Sequence, residues 1–163
     1  MSTIAPALSL RSLGLLLVAA VPVILVSVFG SLFTFQGLVS WYPTLRKPFF
    51  TPPNGVFPIA WTFLYTLMVL SLWRVLRSDI PGKGRALATF GVQLALNLAW
   101  SFVFFGLRSP WGGVGVITAL IIAILLTIRA FRPFDTAAAY ALVPYLAWVS
   151  FAALLNVSIA VLN

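Results

Sequence analysis

The sequence predicts an all-α integral membrane protein: a bundle of five transmembrane helices with a proline- and aromatic-rich lid loop between the first two. Three observations carry this reading. The 163-residue chain is 62% hydrophobic and 7% charged, against roughly 25% charged in ordinary globular domains. A water-soluble domain of this size hides only about 70% of its surface, too little for so much apolar side chain. Charged residues are also confined to short segments, so that 12–45, 48–73, 86–107, 109–128 and 136–163 carry none.

Each of these runs is long enough for a helix of about 20 residues, the length that crosses some 30 Å of hydrocarbon. Continuous apolar runs, rather than alternating ones, exclude a transmembrane barrel. The expected helices lie near 13–36, 56–76, 86–106, 112–130 and 137–161, within a single domain spanning 1–163. The first has Arg11 ahead of an apolar stretch from Leu13 to Phe35. That stretch is longer than a signal-peptide core and lacks an A-x-A cleavage site, so it is read as a retained helix. Between helices one and two, the loop 37–55 leads into Pro58, and five prolines (43, 48, 52, 53 and 58) forbid regular helix there. Pro58 itself suits the first turn of helix two. The loop's Trp41, Tyr42, Phe49 and Phe50 have two readings, a stiff lid on the bundle mouth or an interfacial aromatic belt.

Helix three has two contrasting faces at about 100° per residue. Gln93, Asn97 and Trp100 fall together; Gly84, Ala88, Gly91, Ala95 and Ala99 fall opposite. The polar face should point into the bundle, either to bond neighbouring helices or to line a cavity. The small residues allow close helix approach, to a second copy in a homodimer or to a helix of the same chain. In helix five, Pro144, Trp148, Phe151, Ala152 and Leu155 share a face, with Asn156 at its edge. Helix two offers Trp61, Tyr65 and Met68 at the same spacing.

Composition removes much chemistry. The chain has no cysteine, histidine or glutamate, and its only carboxylates are Asp79 and Asp135. Disulfides, thiolate nucleophiles, His/Cys metal sites and serine–histidine triads are therefore excluded within one chain, and no metal is expected. The net charge of +8 is scattered between apolar runs, which points to basic loops on a lipid surface rather than to nucleic acid. Seven basic residues (Arg11, Arg74, Arg77, Lys83, Arg85, Arg129 and Arg132) fall on the N-terminal side and three (Arg46, Lys47 and Arg108) on the other. That bias predicts a cytoplasmic N-terminus, in keeping with a bacterial inner membrane.

The run Trp41-Tyr42, Leu45-x-Lys47-Pro48, Pro52-Pro53, Phe57-Pro58 and Trp61-x-x-Leu64-Tyr65 closely resembles the translocator protein family. Its bacterial members are called tryptophan-rich sensory proteins and its mitochondrial ones peripheral benzodiazepine receptors. Gln93-Leu94-Ala95-Leu96-Asn97-x-x-Trp100 with Phe104-Phe105-Gly106, and Val143-Pro144-Tyr145-Leu146-x-Trp148 with Asn156, agree in order along nearly the whole chain. The resemblance implies a commonly dimeric five-helix bundle whose first loop caps a cavity. It implies a pocket for tetrapyrroles and synthetic hydrophobic ligands lined by Trp61, Asn97, Trp100, Trp148 and Ala152. With the helical faces above, the expected ligand-binding set is Phe50, Pro53, Trp61, Tyr65, Gln93, Asn97, Trp100, Trp148, Phe151, Ala152 and Leu155. The lid set is Trp41, Tyr42, Arg46, Lys47 and Phe49, where Arg46 and Lys47 either pair with propionates or simply mark the membrane surface.

Bacterial relatives usually carry Trp where Phe49 or Phe50 stand, so this lid lacks those indole donors. No basic residue follows Tyr145 through Asn163, so the sterol-recognition pattern of mitochondrial members is incomplete. The leading functional expectation is a receptor that binds protoporphyrin IX or haem-like tetrapyrroles non-covalently, linked to tetrapyrrole regulation or stress sensing. The alternatives are a light-dependent porphyrin-degrading enzyme using Trp61 and Trp148, and a porphyrin or sterol transporter. No buried ion pair or half-repeat supports transport.

Overall fold

The computed structural model describes residues 9–163 and contains five membrane-length helical spans. They are built from α1 (Leu10–Ser40), α2 (Val56–Arg77), α3 (Gly84–Ser101) extended by a wide π turn (Phe102–Gly106), α4 (Pro110–Phe131), and a fifth span made of α5 (Thr136–Ala141) and α6 (Val143–Leu162). No strand occurs among the described residues.

The helix ends follow local chemistry. Ser9 starts α1 by accepting the Ser12 amide on its hydroxyl at 3.2 Å, satisfying one of the free donors of a first turn. The helix continues to Ser40 rather than stopping near 36, which shortens the expected lid. Gly37 stays helical because its missing side chain lets α1 lie against Phe105, where an added Cβ would come within 2.8 Å of that ring. The chain then turns through Tyr42–Thr44 into the proline-rich loop. Ser109 caps α4 through the Gly112 amide at 3.2 Å, with Pro110 at the first helical position.

Two expected helices prove irregular. Helix three was expected to run evenly through 106, but its last turn widens, and the Leu107 amide reaches back to the Phe102 carbonyl at 2.8 Å. The expected single helix 137–161 is broken at Leu142. Pro144 has no amide to give the preceding turn, so the chain closes one helix on Ala139, where the Leu142 amide bonds at 3.2 Å, and begins another.

Within the bundle, α4 packs against α3 and α6, and α1 packs against α2, α3 and the π turn. Met68, Ile117, Leu120, Ile124, Phe131 and Tyr145 are fully enclosed. The outward faces are apolar; along α1, Leu17, Val21, Ile24, Val28 and Leu32 are all exposed, as lipid requires. At the end of the bundle that holds the start of α1, Trp73 Nε1 donates to the Ser12 carbonyl at 2.9 Å and the Ser71 hydroxyl to Ala138 O at 2.7 Å. Arg74 pairs with Asp135 there at 2.9 Å. Burial pushes the Asp135 carboxyl up, but the Ala138 amide and the Arg74 guanidinium outweigh it and hold the group below its ordinary value.

Candidate functional site: an aromatic cavity in the opposite half

Away from that end the helices enclose a cavity of about 340 Å³. One wall is α1, with Ser27, Gly30, Ser31, Thr34, Phe35 and Leu38. Phe57, Pro58, Trp61, Thr62 and Tyr65 of α2 form the next; Trp100, Ser101, Phe104 and Phe105 follow from α3 and its π turn. Ala152, Leu155, Asn156 and Ile159 of α6 complete the lining, with Tyr42 reaching in from the loop.

Hydrogen bonds between helices set the shape. Tyr65 Oη donates to Asn97 Oδ1 at 3.0 Å, and Asn97 Nδ2 donates to Tyr145 Oη at 3.0 Å. One asparagine thus ties α2, α3 and α6 together at the cavity floor. Trp61 stacks on Tyr65 at 5.3 Å between ring centroids. Higher up, Trp100 Nε1 donates to Asn156 Oδ1 at 3.0 Å, and Asn156 Nδ2 donates to Pro110 O at 2.9 Å. Trp100 lies parallel to Phe104 at 5.3 Å. With the polar groups of Asn97, Trp100 and Asn156 paired, the lining consists mainly of ring faces, aliphatic side chains and a band of hydroxyls.

Glycines hold the upper aromatic rings in place. Gly37 presses on Phe105, and a Cβ at Gly113 would sit 2.9 Å from Phe104 and 2.7 Å from Asn156 Oδ1. The π turn presents Phe104 and Phe105 consecutively, both buried. Trp41 meets Phe104 edge-on at 5.5 Å, and Tyr42 meets Phe105 at 5.9 Å. The loop is anchored by a two-point clasp. The Arg46 amide donates to Asn163 Oδ1 at 2.9 Å, and Asn163 Nδ2 donates to the Arg46 carbonyl at 3.0 Å. Lys47 lies over the Tyr42 ring at 4.8 Å, and burial pushes the Tyr42 phenol above its ordinary pKa.

Of the expected ligand-binding residues, Trp61, Tyr65, Trp100, Ala152 and Leu155 line this cavity. Asn97 lies just beneath, bonded to Tyr65. Gln93 is one turn deeper in α3, 1% exposed, with both amide atoms unpartnered. Trp148 and Phe151 form a neighbouring aromatic run with Phe57 and Phe50; none of Phe50, Trp148 and Phe151 is in the cavity wall. Pro53 is exposed, and Phe49 projects fully from the loop, touching Phe50. Gly84, Ala88, Gly91 and Ala95 are exposed on the outside of the bundle and Ala99 is half-buried. Open space faces the Cα of both Gly84 and Gly91.

The α1 wall was not among the expected site residues. Its signal is present in the sequence: Ser27, Ser31 and Thr34 recur at i, i+4 and i+7 in an otherwise apolar helix, a polar stripe that lipid would not favour. Among the described residues, no cluster of His, Cys, Asp or Glu gathers to hold a metal.

Known proteins resemble this chain in sequence. Residues 18–162 match the TspO/MBR family. The chain is 45% identical over 134 residues to the tryptophan-rich protein TspO of Archaeoglobus fulgidus, covering 82% of this chain and 87% of that protein. It is 42% identical to the tryptophan-rich sensory protein of Cereibacter sphaeroides, over 76% and 77% of the two chains. To the human translocator protein it is 34% identical, over 78% and 77%. With a five-span bundle, a Trp- and Phe-walled cavity and matches of this extent, the chain belongs to the TspO/MBR family of multi-pass membrane proteins.

Proposed function

We propose that the protein is a membrane receptor that binds porphyrins such as protoporphyrin IX, or haem-like tetrapyrroles, non-covalently in this cavity. The observation that carries the reading is the wall of ring faces contributed by Trp61, Tyr65, Trp100, Phe104 and Phe105. Flat conjugated macrocycles gain affinity by stacking on such faces, and the volume falls in the range of roughly 300–1,000 Å³ typical of ligand pockets. The names of relatives, sensory and translocator proteins, fit a ligand-responsive membrane protein. In this reading the chain sits in a bacterial inner membrane with its N-terminus in the cytoplasm. Two copies associate through the small-residue face of α3, where close backbone approach gives helices their packing energy in lipid.

Titration of the purified protein with protoporphyrin IX, followed by tryptophan quenching, tests the ligand. Saturable quenching is expected, with affinity at least tenfold weaker in Trp61→Ala and a smaller loss in Trp148→Ala. Non-saturable quenching, or identical curves for parent and Trp61→Ala, would reject the reading.

A further inference from the structure

The cavity has two sides on which a ligand can approach, and they differ in kind. Towards the loop, the clasp between Asn163 and the Arg46 backbone, the Tyr42–Phe105 contact and the Trp41–Phe104 contact close the way. Towards the bilayer, four lining residues are themselves exposed on the outside of the bundle: Ser31 and Phe35 on α1, Pro58 and Thr62 on α2. The lining therefore runs out to the lipid-facing surface between these two helices. Ser31 lies nine residues before the end of α1 and Thr62 six after the start of α2. At 1.5 Å per residue these places are roughly 14 Å and 9 Å from the helix ends, with Phe35 and Pro58 nearer those ends, so the opening runs along the side of the bundle beneath the loop.

Two further facts suit an opening at that depth. Among the described residues the one hydrogen bond joining α1 to α2, Trp73 to Ser12, is at the far end of the bundle, leaving the cavity end of this pair held by packing alone. The rim hydroxyls are satisfied within their own helices, Ser31 on the Ser27 carbonyl at 2.7 Å and Thr62 on the Pro58 carbonyl at 2.8 Å. A bonded hydroxyl tolerates lipid, where a free one would be costly.

We infer that the cleft between α1 and α2 is a lateral doorway, through which the cavity takes apolar, ring-shaped ligands already dissolved in the bilayer while the loop above stays clasped. The inference rests on the ligand reading above for the identity of the guest, and on the lining and exposure of α1 and α2 for the route.

The absence of native cysteine makes the test direct. Ser31→Cys/Thr62→Cys protein is reconstituted in liposomes preloaded with protoporphyrin IX, before and after bridging with a short bis-maleimide. Bridging is expected to slow the approach to full tryptophan quenching at least tenfold, with the same final extent, while Asn163→Ala, which releases the clasp, changes the rate less than twofold. A rate within twofold after bridging overturns the doorway, as does a reduced final extent reached at the original rate.

If the parent protein shows no saturable quenching, the porphyrin reading fails, and the route is judged without a guest. Trp61 emission, taken as the difference between parent and Trp61→Phe, should be quenched at least twofold more by lipids with brominated acyl chains than by aqueous acrylamide. Greater quenching from the aqueous side would place the entrance at the loop.

Discussion

The two ends of this bundle are built from the same five spans yet packed in opposite ways. Around Ser71, Trp73 and Phe131 the helices are drawn shut by an indole–carbonyl bond, a buried hydroxyl, an ion pair and the stacked rings of Phe90 and Phe131 at 5.7 Å. Around Trp61, Trp100 and Phe105 the helices are joined by the Trp100–Asn156 bond yet kept apart by large rings that prop one another, with close approach at Gly30, Gly37 and Gly113. Apolar volume alone does not decide whether a bundle has a cavity. Stiff rings supported from behind leave space that flexible aliphatic side chains would collapse to fill.

Asn97 is where the contrast is easiest to break. Asn97→Leu leaves the hydroxyls of Tyr65 and Tyr145 without their shared partner between three helices. Each unpaired buried group costs about 1–3 kcal/mol. The largest loss of thermal stability in detergent is expected here, together with loss of ligand saturation. If Asn97→Leu melts with the parent, the asparagine is not the tie at the cavity floor.

Gly37→Leu and Gly91→Leu make the same chemical change on opposite sides of the structure. At Gly37 the new side chain drives into Phe105, and overpacking typically costs about 1–3 kcal/mol; porphyrin affinity should fall as the ring is pushed into the cavity. At Gly91 nothing lies within 4 Å, so the bundle should keep its melting temperature and its ligand. Light scattering should instead show Gly91→Leu, and likewise Ala95→Leu, shifting from dimer towards monomer. An unaltered dimer in both would move the interface off α3.

The smallest effect belongs to the closed end. Asp135 caps α5 through the Ala138 amide at 2.8 Å and pairs with the half-exposed Arg74. Losing a cap costs about 1 kcal/mol, and an exposed ion pair adds little. Because its folded pKa is lowered, the carboxylate's contribution is complete above the ordinary aspartate value and is lost as pH falls through the lowered one, below roughly pH 4. Melting curves from pH 7 to pH 3 should lose this increment on acidification in the parent but not in Asp135→Ala.

Spans and their order were legible in the sequence because lipid imposes a simple rule: a charge-free run long enough to cross is a helix. The polar face of α3 was legible for the same reason, since Gln93 and Asn97 have no place against hydrocarbon. The cavity wall was harder to read. Faces computed on ideal helices put Trp148 and Phe151 with Ala152, whereas the wall takes Ala152, Leu155, Asn156 and Ile159 and leaves the two rings beside Phe57 and Phe50. The wall residues are themselves spaced i, i+3, i+4 and i+7, a regular helical face, while the two rings are taken up by packing on Phe57 and Phe50. The α1 stripe of Ser27, Ser31 and Thr34 was hidden by the strong hydrophobic signal around it.

The wide turn at Phe102–Gly106 also acts as an angular offset. One extra residue within a single turn delays the helix by about 100°, so the side chains of this last turn of α3 meet their neighbours on a rotated azimuth. Phe104 and Phe105 face the cavity, and α4 starts where Asn156 can reach the Pro110 carbonyl. The wide turn thus brings two consecutive rings to the cavity, where a regular α-turn would set neighbouring side chains about 100° apart.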